Sequence, residues 1–167
     1  LQTSVSRGSG LSANAFADSF SSDGYTFSGL DANKYIEVSI SPKVGTVYTI
    51  DSLNFQHTDH VGTSFSWQVR TSLDGFSSDA GSGFSLGSTP EAETVSFTGN
   101  SSFENLSSAV TFRIYAFSGS ATVVSYFGTG NDISIAGTAV PEPRAFALAS
   151  GIGLALFALW RKKVGTV

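Results

Sequence analysis

The chain has 167 residues, no cysteine, 13% charged residues and a net charge of −4, a length suited to one domain with a single core plus a tail. The charge is unevenly spread. Residues 1–140 hold five cations against twelve acids, a net −7, and residues 141–167 hold four cations against one acid, a net +3. An acidic, lysine-poor domain lacks the footprint that nucleic acid requires, and the absence of cysteine excludes a disulfide scaffold, a cysteine nucleophile and thiolate metal sites.

In chain order, residues 1–34 are rich in Ser, Gly, Ala and Asn with sparse apolar punctuation, which predicts short edge strands or loops. From Lys34 the pattern sharpens. Ile36, Val38 and Ile40 alternate with Tyr35, Glu37 and Ser39, the period of a half-buried strand. Val47 to Ile50 and Leu53 to His57 follow, interrupted at Asp51-Ser52 by a bulge or short turn. Phe65, Trp67 and Val69 mark the clearest strand, and Asp74-Gly75 signals the turn after it. A Ser/Gly/Asp loop is expected up to Pro90. Thr94 to Phe97 make the next strand, and Val110, Phe112, Ile114 and Ala116 mark a long central one. Thr122 to Phe127 and Ile133 to Ile135 complete the set, and Gly137 to Val140 read as a link. Short strands, Gly/Ser turns and fourteen Phe predict an all-β antiparallel sandwich over residues 1–136, with a jelly roll as the favoured topology.

The C-terminus is of a different kind. Ala145 to Trp160 carries no charge, and as a helix it would span about 24 Å, somewhat less than the roughly 30 Å hydrocarbon core of a bilayer. Arg144 and the cluster Arg161-Lys162-Lys163 can snorkel to the two interfaces, and Trp160 suits the headgroup level. A buried core helix would carry a polar face, which this stretch lacks. Residues 145–160 therefore read as a single transmembrane helix, with the basic tail 161–167 in the cytoplasm and the domain across the membrane. Ala147, Gly151 and Ala155 place small residues at four-residue spacing, a surface for close helix packing. Pro141 and Pro143 bracket Glu142 within a 137–144 linker, where they would form a stiff hinge above the bilayer.

Val140, Pro141, Glu142 and Pro143, the apolar segment, and Arg161 to Lys163, in that order, resemble the PEP-CTERM sorting signal of exported bacterial proteins. Val164 to Val167 extend beyond the basic cluster, where that family often ends on arginines. The resemblance covers about the last 28 residues. It implies a membrane-anchored precursor presented to an exosortase-type transpeptidase, which cuts near the Pro-Glu-Pro. The protein would then reside at the cell surface or in the extracellular matrix. There is no start methionine and no N-terminal cationic-then-apolar run, so an exported chain of this sequence reads as a mature form or a fragment. "KYIEVSI", "IDSLNF", "SWQVRTSLDGF" and "VTFRIYAFSG" in turn resemble jelly-roll-like ectodomains common among such proteins, a resemblance that implies fold and no chemistry.

Several constellations invite a chemical reading. Gly83-Phe84-Ser85-Leu86-Gly87 matches the G-x-S-x-G nucleophile elbow, but both histidines lie upstream of the serine and no helix follows, so no hydrolase is expected. His57-Thr58-Asp59-His60 places two imidazoles and a carboxylate at an expected hairpin tip, a weak candidate for a divalent metal. The competing reading is a solvated polar loop. Asp74, Asp79, Glu91 and Glu93 supply oxygen ligands of the kind structural calcium takes, without a calcium-loop spacing. Tyr35 and Tyr115 lie out of phase with the apolar residues of their strands, which predicts partly exposed rings on which extracellular polysaccharide could stack. The expected protein is thus a non-catalytic, exported surface or matrix component with no cofactor of its own. A carbohydrate-binding module using Tyr35, Tyr115 or the 71–90 loop is the alternative.

Overall fold

In the computed structural model, which describes residues 1–14, 20–25, 29–59, 64–86, 90–118, 125–127 and 133–141, alternation of apolar and polar residues becomes alternation of inward and outward side chains. The strands run in chain order as β1 (Gln2–Arg7), β2 (Ser12–Ala13), β3 (Phe20–Asp23), β4 (Ile36–Ser41), β5 (Thr46–Asp59), β6 (Ser64–Thr71), β7 (Asp79–Leu86), β8 (Glu91–Ser96), β9 (Val110–Ser118), β10 (Ser125–Phe127) and β11 (Ile133–Pro141). One sheet has the order β1-β4-β9-β6-β7. The other has the order β11-β5-β10-β3-β2, with β8 also paired to β5. All these pairings are antiparallel.

The fold is all-β, with one core shared by the two sheets. Ile36, Ile40, Phe65, Trp67, Val69, Val110, Phe112 and Ile114 from the first sheet pack in one cluster with Tyr48, Ile50, Leu53, Phe55 and Val95 from the second. Val38 is also buried. The inward residues expected from alternation are all buried, the core adds Tyr48, Ile50, Val95, Phe97 and Phe103 among others, and β9 is the central strand of its sheet. Trp67 meets Phe55 edge-on across the gap at 5.2 Å. After β8, Phe97 stacks on Phe103 at 4.1 Å and on Phe112 at 5.5 Å. Phe103 is delivered by a 3₁₀ turn, Ser101–Phe103, whose first residues are held by the Asn100 side chain accepting from the Ser102 N–H. At another place Arg7 of β1 crosses to β3. Its Nε donates to Ser22 Oγ at 2.7 Å, its Nη2 to the Ser21 carbonyl at 2.8 Å, and its guanidinium lies 3.6 Å from the Phe20 ring centroid.

Two expectations change, and of the two alternatives at Asp51-Ser52 the structure takes the bulge. The expected loop before Pro90 contains β7, paired with β6. It does not read as a strand because its inward positions include Gly81 and Gly83. A Cβ there would lie 2.6 Å from Val95 Cγ1 and 2.6 Å from the Trp67 indole, so neighbouring side chains fill the space that an apolar residue of β7 would otherwise occupy.

The break at Asp51-Ser52 lies within a single 14-residue strand. β11 pairs Ala136 with Ser52 and Gly137 with Ile50, leaving Asp51 as the extra residue of a bulge. Finally, residues 137–141, read as the start of a linker, continue β11 as far as Pro141 opposite Thr46. Gly137 allows this, because its backbone approaches β5 so closely that a Cβ would come within 2.0 Å of the Thr49 carbonyl oxygen. The remainder of the 137–144 segment, the expected helix 145–160 and the tail 161–167 lie outside the described residues. Among the described residues, no helix is long and apolar enough to cross a membrane.

Trp67 is 5% exposed and fills the slot that Gly83 leaves. Trp67→Ala should cost about 3–5 kcal/mol of folding stability, the usual range for emptying a large aromatic site. Denaturant titration of the two proteins measures it.

Candidate functional site

The expected sites fall in four places. The first is the sorting signal. Val140 is exposed on β11 and Pro141 ends that strand. Glu142, Pro143, Ala147, Gly151, Ala155, Arg161, Lys162 and Lys163 lie outside the described residues.

The second is the histidine cluster. His57 does not sit in a solvated loop. It is on the inward face of β5, 2% exposed, with the Phe65 ring centroid 4.8 Å away and that of Phe55 5.8 Å away. The register of β8 on β5 sets Glu91 opposite His57 and Glu93 opposite Phe55. Glu93 Oε1 lies 3.5 Å from His57 Nε2, too long for a good hydrogen bond, and neither ring nitrogen has a hydrogen-bond partner among the described residues. The imidazole is thus joined to acids that sequence reasoning placed in a separate group, because the β5–β8 pairing spans more than thirty intervening residues. Asp59 ends β5, and His60 lies outside the described residues. No group of three or more His, Asp or Glu able to hold a metal occurs among the described residues. Burial lowers the His57 pKa below its ordinary value, and Glu93 and Glu91 oppose that shift in part.

The third is the tyrosine pair. The fold does bring Tyr35 and Tyr115 together, edge-on at 5.6 Å. Tyr115, however, is 3% exposed, contrary to the expectation of a partly exposed ring. The cause is a lid of charged side chains on the outer face of the first sheet. Arg113 donates to Glu37 at 3.0 Å, and its guanidinium lies 4.2 Å from the Tyr35 ring centroid and 3.8 Å from that of Phe76. Arg70, ion-paired with Asp79 at 2.9 Å, lies 5.9 Å from the Tyr115 centroid. The protein's own guanidinium groups are therefore stacked where a sugar ring was expected.

The fourth is the loop after β6. A cleft of about 360 Å³ lies between residues 71–80 and 100–103, lined by Leu73, Asp74, Asp79, Asn100 and Phe103 among others. Its polar groups have partners within the protein. Asp74 accepts hydrogen bonds from Ser77 and Ser78, which hold its carboxyl below the usual carboxylate range. Asp79 pairs with Arg70, and Asn100 caps the 3₁₀ turn. These bonds shape the turn. Ser85 of the G-x-S-x-G match lies within β7, its backbone paired with Phe65, and not at a strand-to-helix turn.

The His57 arrangement has a pH consequence. The ordinary histidine pKa is about 6.5, and the folded value is lower, so the unfolded chain binds more protons in mild acid. The stability this group contributes is complete above that ordinary value and is lost as the pH falls through it. The melting temperature should therefore drop between about pH 7.5 and about pH 5.5, and His57→Phe should flatten the drop. Thermal melts of both proteins across that range measure the difference. Comparison with known proteins adds no assignment: no family model, no curated protein and no solved structure matches the chain.

Proposed function

We propose that this is an exported, non-catalytic cell-surface or extracellular-matrix protein, sorted through its C-terminal signal. One observation carries the reading: Pro141-Glu142-Pro143, an uncharged segment from Ala145 to Trp160 and Arg161-Lys162-Lys163 follow one another at the end of an acidic chain. Each part has a physical role. The prolines interrupt regular structure, the apolar segment partitions into the bilayer, and the cations stay on the cytoplasmic side. The partners on this reading are the membrane and an exosortase-type transpeptidase.

In the same reading the ectodomain is jelly-roll-like. Its two antiparallel sheets around one core favour that reading, and the chain has no cysteine, so its fold rests on no disulfide. Because β11 runs to Pro141, the recognition segment begins where the sheet ends. The transpeptidase would meet it close against the domain, with no free spacer between.

Expressed in a host that carries the sorting enzyme, the mature protein should lose its C-terminal segment at or near the Pro-Glu-Pro. Mass spectrometry of the mature C-terminus reads this directly. A chain still ending at Val167 in that host overturns the sorting assignment.

A further inference from the structure

We propose that the outward face of β8, β5 and β11 binds a neutral polysaccharide. The bulge at Asp51 turns Ser52, Asn54 and Gln56 outward while Leu53, Phe55 and His57 face the core. Pairing then sets Thr94 and Ser134 on either side of Asn54, and Ala92 beside Gln56. The result is a shallow trough of about 230 Å³ in which the amides of Asn54 and Gln56 and the hydroxyls of Thr94 and Ser134 lie beside the apolar surface of Phe55 and Ala92.

The trough is partly preorganised. Thr94 donates to Asn54 Oδ1 at 2.9 Å, and Asn54 Nδ2 donates to Ser52 Oγ at 3.1 Å, which fixes the Asn54 amide in one orientation. The Gln56 amide makes no hydrogen bond among the described residues, so its donors and acceptor are available to a ligand.

The chemistry of the face selects the ligand. Glu93 is the one ionisable residue lining it, and its carboxylate is turned through to His57 on the inner side. A charged ligand would shed water here without meeting an opposite charge. A protein partner would look for an apolar centre with aromatic or large aliphatic anchors; among the described residues no exposed large hydrophobic residue lines the trough, and Val140, the one on β11, lies toward the end of that strand. Neutral amides and hydroxyls match the paired donors and acceptors of sugar hydroxyls. The contrast with the first sheet is direct, since its outer face is occupied by its own Arg–aromatic stacks.

The test uses the full chain in a non-glycosidic detergent, because glycoside detergents would compete for the site. Retention is measured on immobilised neutral β-glucan and mannan and on anionic alginate. The neutral polymers should retain the protein and alginate should not. Gln56→Ala should weaken retention roughly fivefold, the loss expected for one hydrogen bond. Ala92→Glu, which places a charge in the trough, should abolish retention. Phe84→Ser on the other sheet should leave it unchanged. Unaltered melting temperatures show that the variants fold. Failure of both neutral polymers to retain the protein, equal retention by alginate, or equal retention of Gln56→Ala and Ala92→Glu overturns the proposal. Processing of the C-terminus is read separately by mass spectrometry, so either reading can fail without the other.

Discussion

Side chains along a strand alternate with a period of two, and β5 must bury residues on both sides of a phase break. Tyr48 and Ile50 face the core at even positions, and Leu53, Phe55 and His57 face it at odd ones. A regular strand would turn one of these sets into solvent. The extra residue, Asp51, shifts the phase, and the close approach of Gly137 to Thr49 lets β11 follow the shift without breaking the ladder. Because β8, β10 and β11 all pair with β5, the second sheet depends on this one irregularity.

The same constraint sorts chemistry between faces. It brings His57 inward, beside acids of β8 that reach it from the sheet edge, and sends Asn54 and Gln56 outward. A buried imidazole with unsatisfied nitrogens costs stability as the pH falls, and a neutral amide face makes no such demand. On the first sheet the balance differs. Arg70 and Arg113 are neutralised by Asp79 and Glu37 and are spread over tyrosine and phenylalanine rings, so the part of that face around Tyr35 and Tyr115 is covered by the protein's own contacts, while Phe84 of β7 stays exposed.

Two glycines explain how the sheets can approach closely near Trp67 and Val95. At Gly81 and Gly83 the inward side of β7 is empty of side chains, and the indole and the valine of other strands occupy the space. The Phe97–Phe103–Phe112 stack fills the core by a different route, with one ring carried on a 3₁₀ turn and not on a strand.

The sequence by itself determined which residues form the core, because the alternation at Ile36 to Ile40, Phe65 to Val69 and Val110 to Ala116 is a local property that burial on one face of a sheet enforces. It also contains the three-part C-terminal pattern, which consists wholly of composition and order along the chain. Only the tertiary structure decided the rest. β7 carries its strand identity in glycines whose missing side chains are replaced by neighbours, and a pattern search for apolar residues has nothing to register there. Tyr115 is out of phase with its core neighbours, as read from the sequence, yet it is buried beneath a layer that Arg113 of its own strand and Arg70 of β6 build together with Tyr35 and Phe76. His57 meets Glu93, and Asn54 meets Thr94, through pairings between residues distant in the chain. Alternation tells which way a side chain points, but what lies there is set by the strand that folding brings alongside.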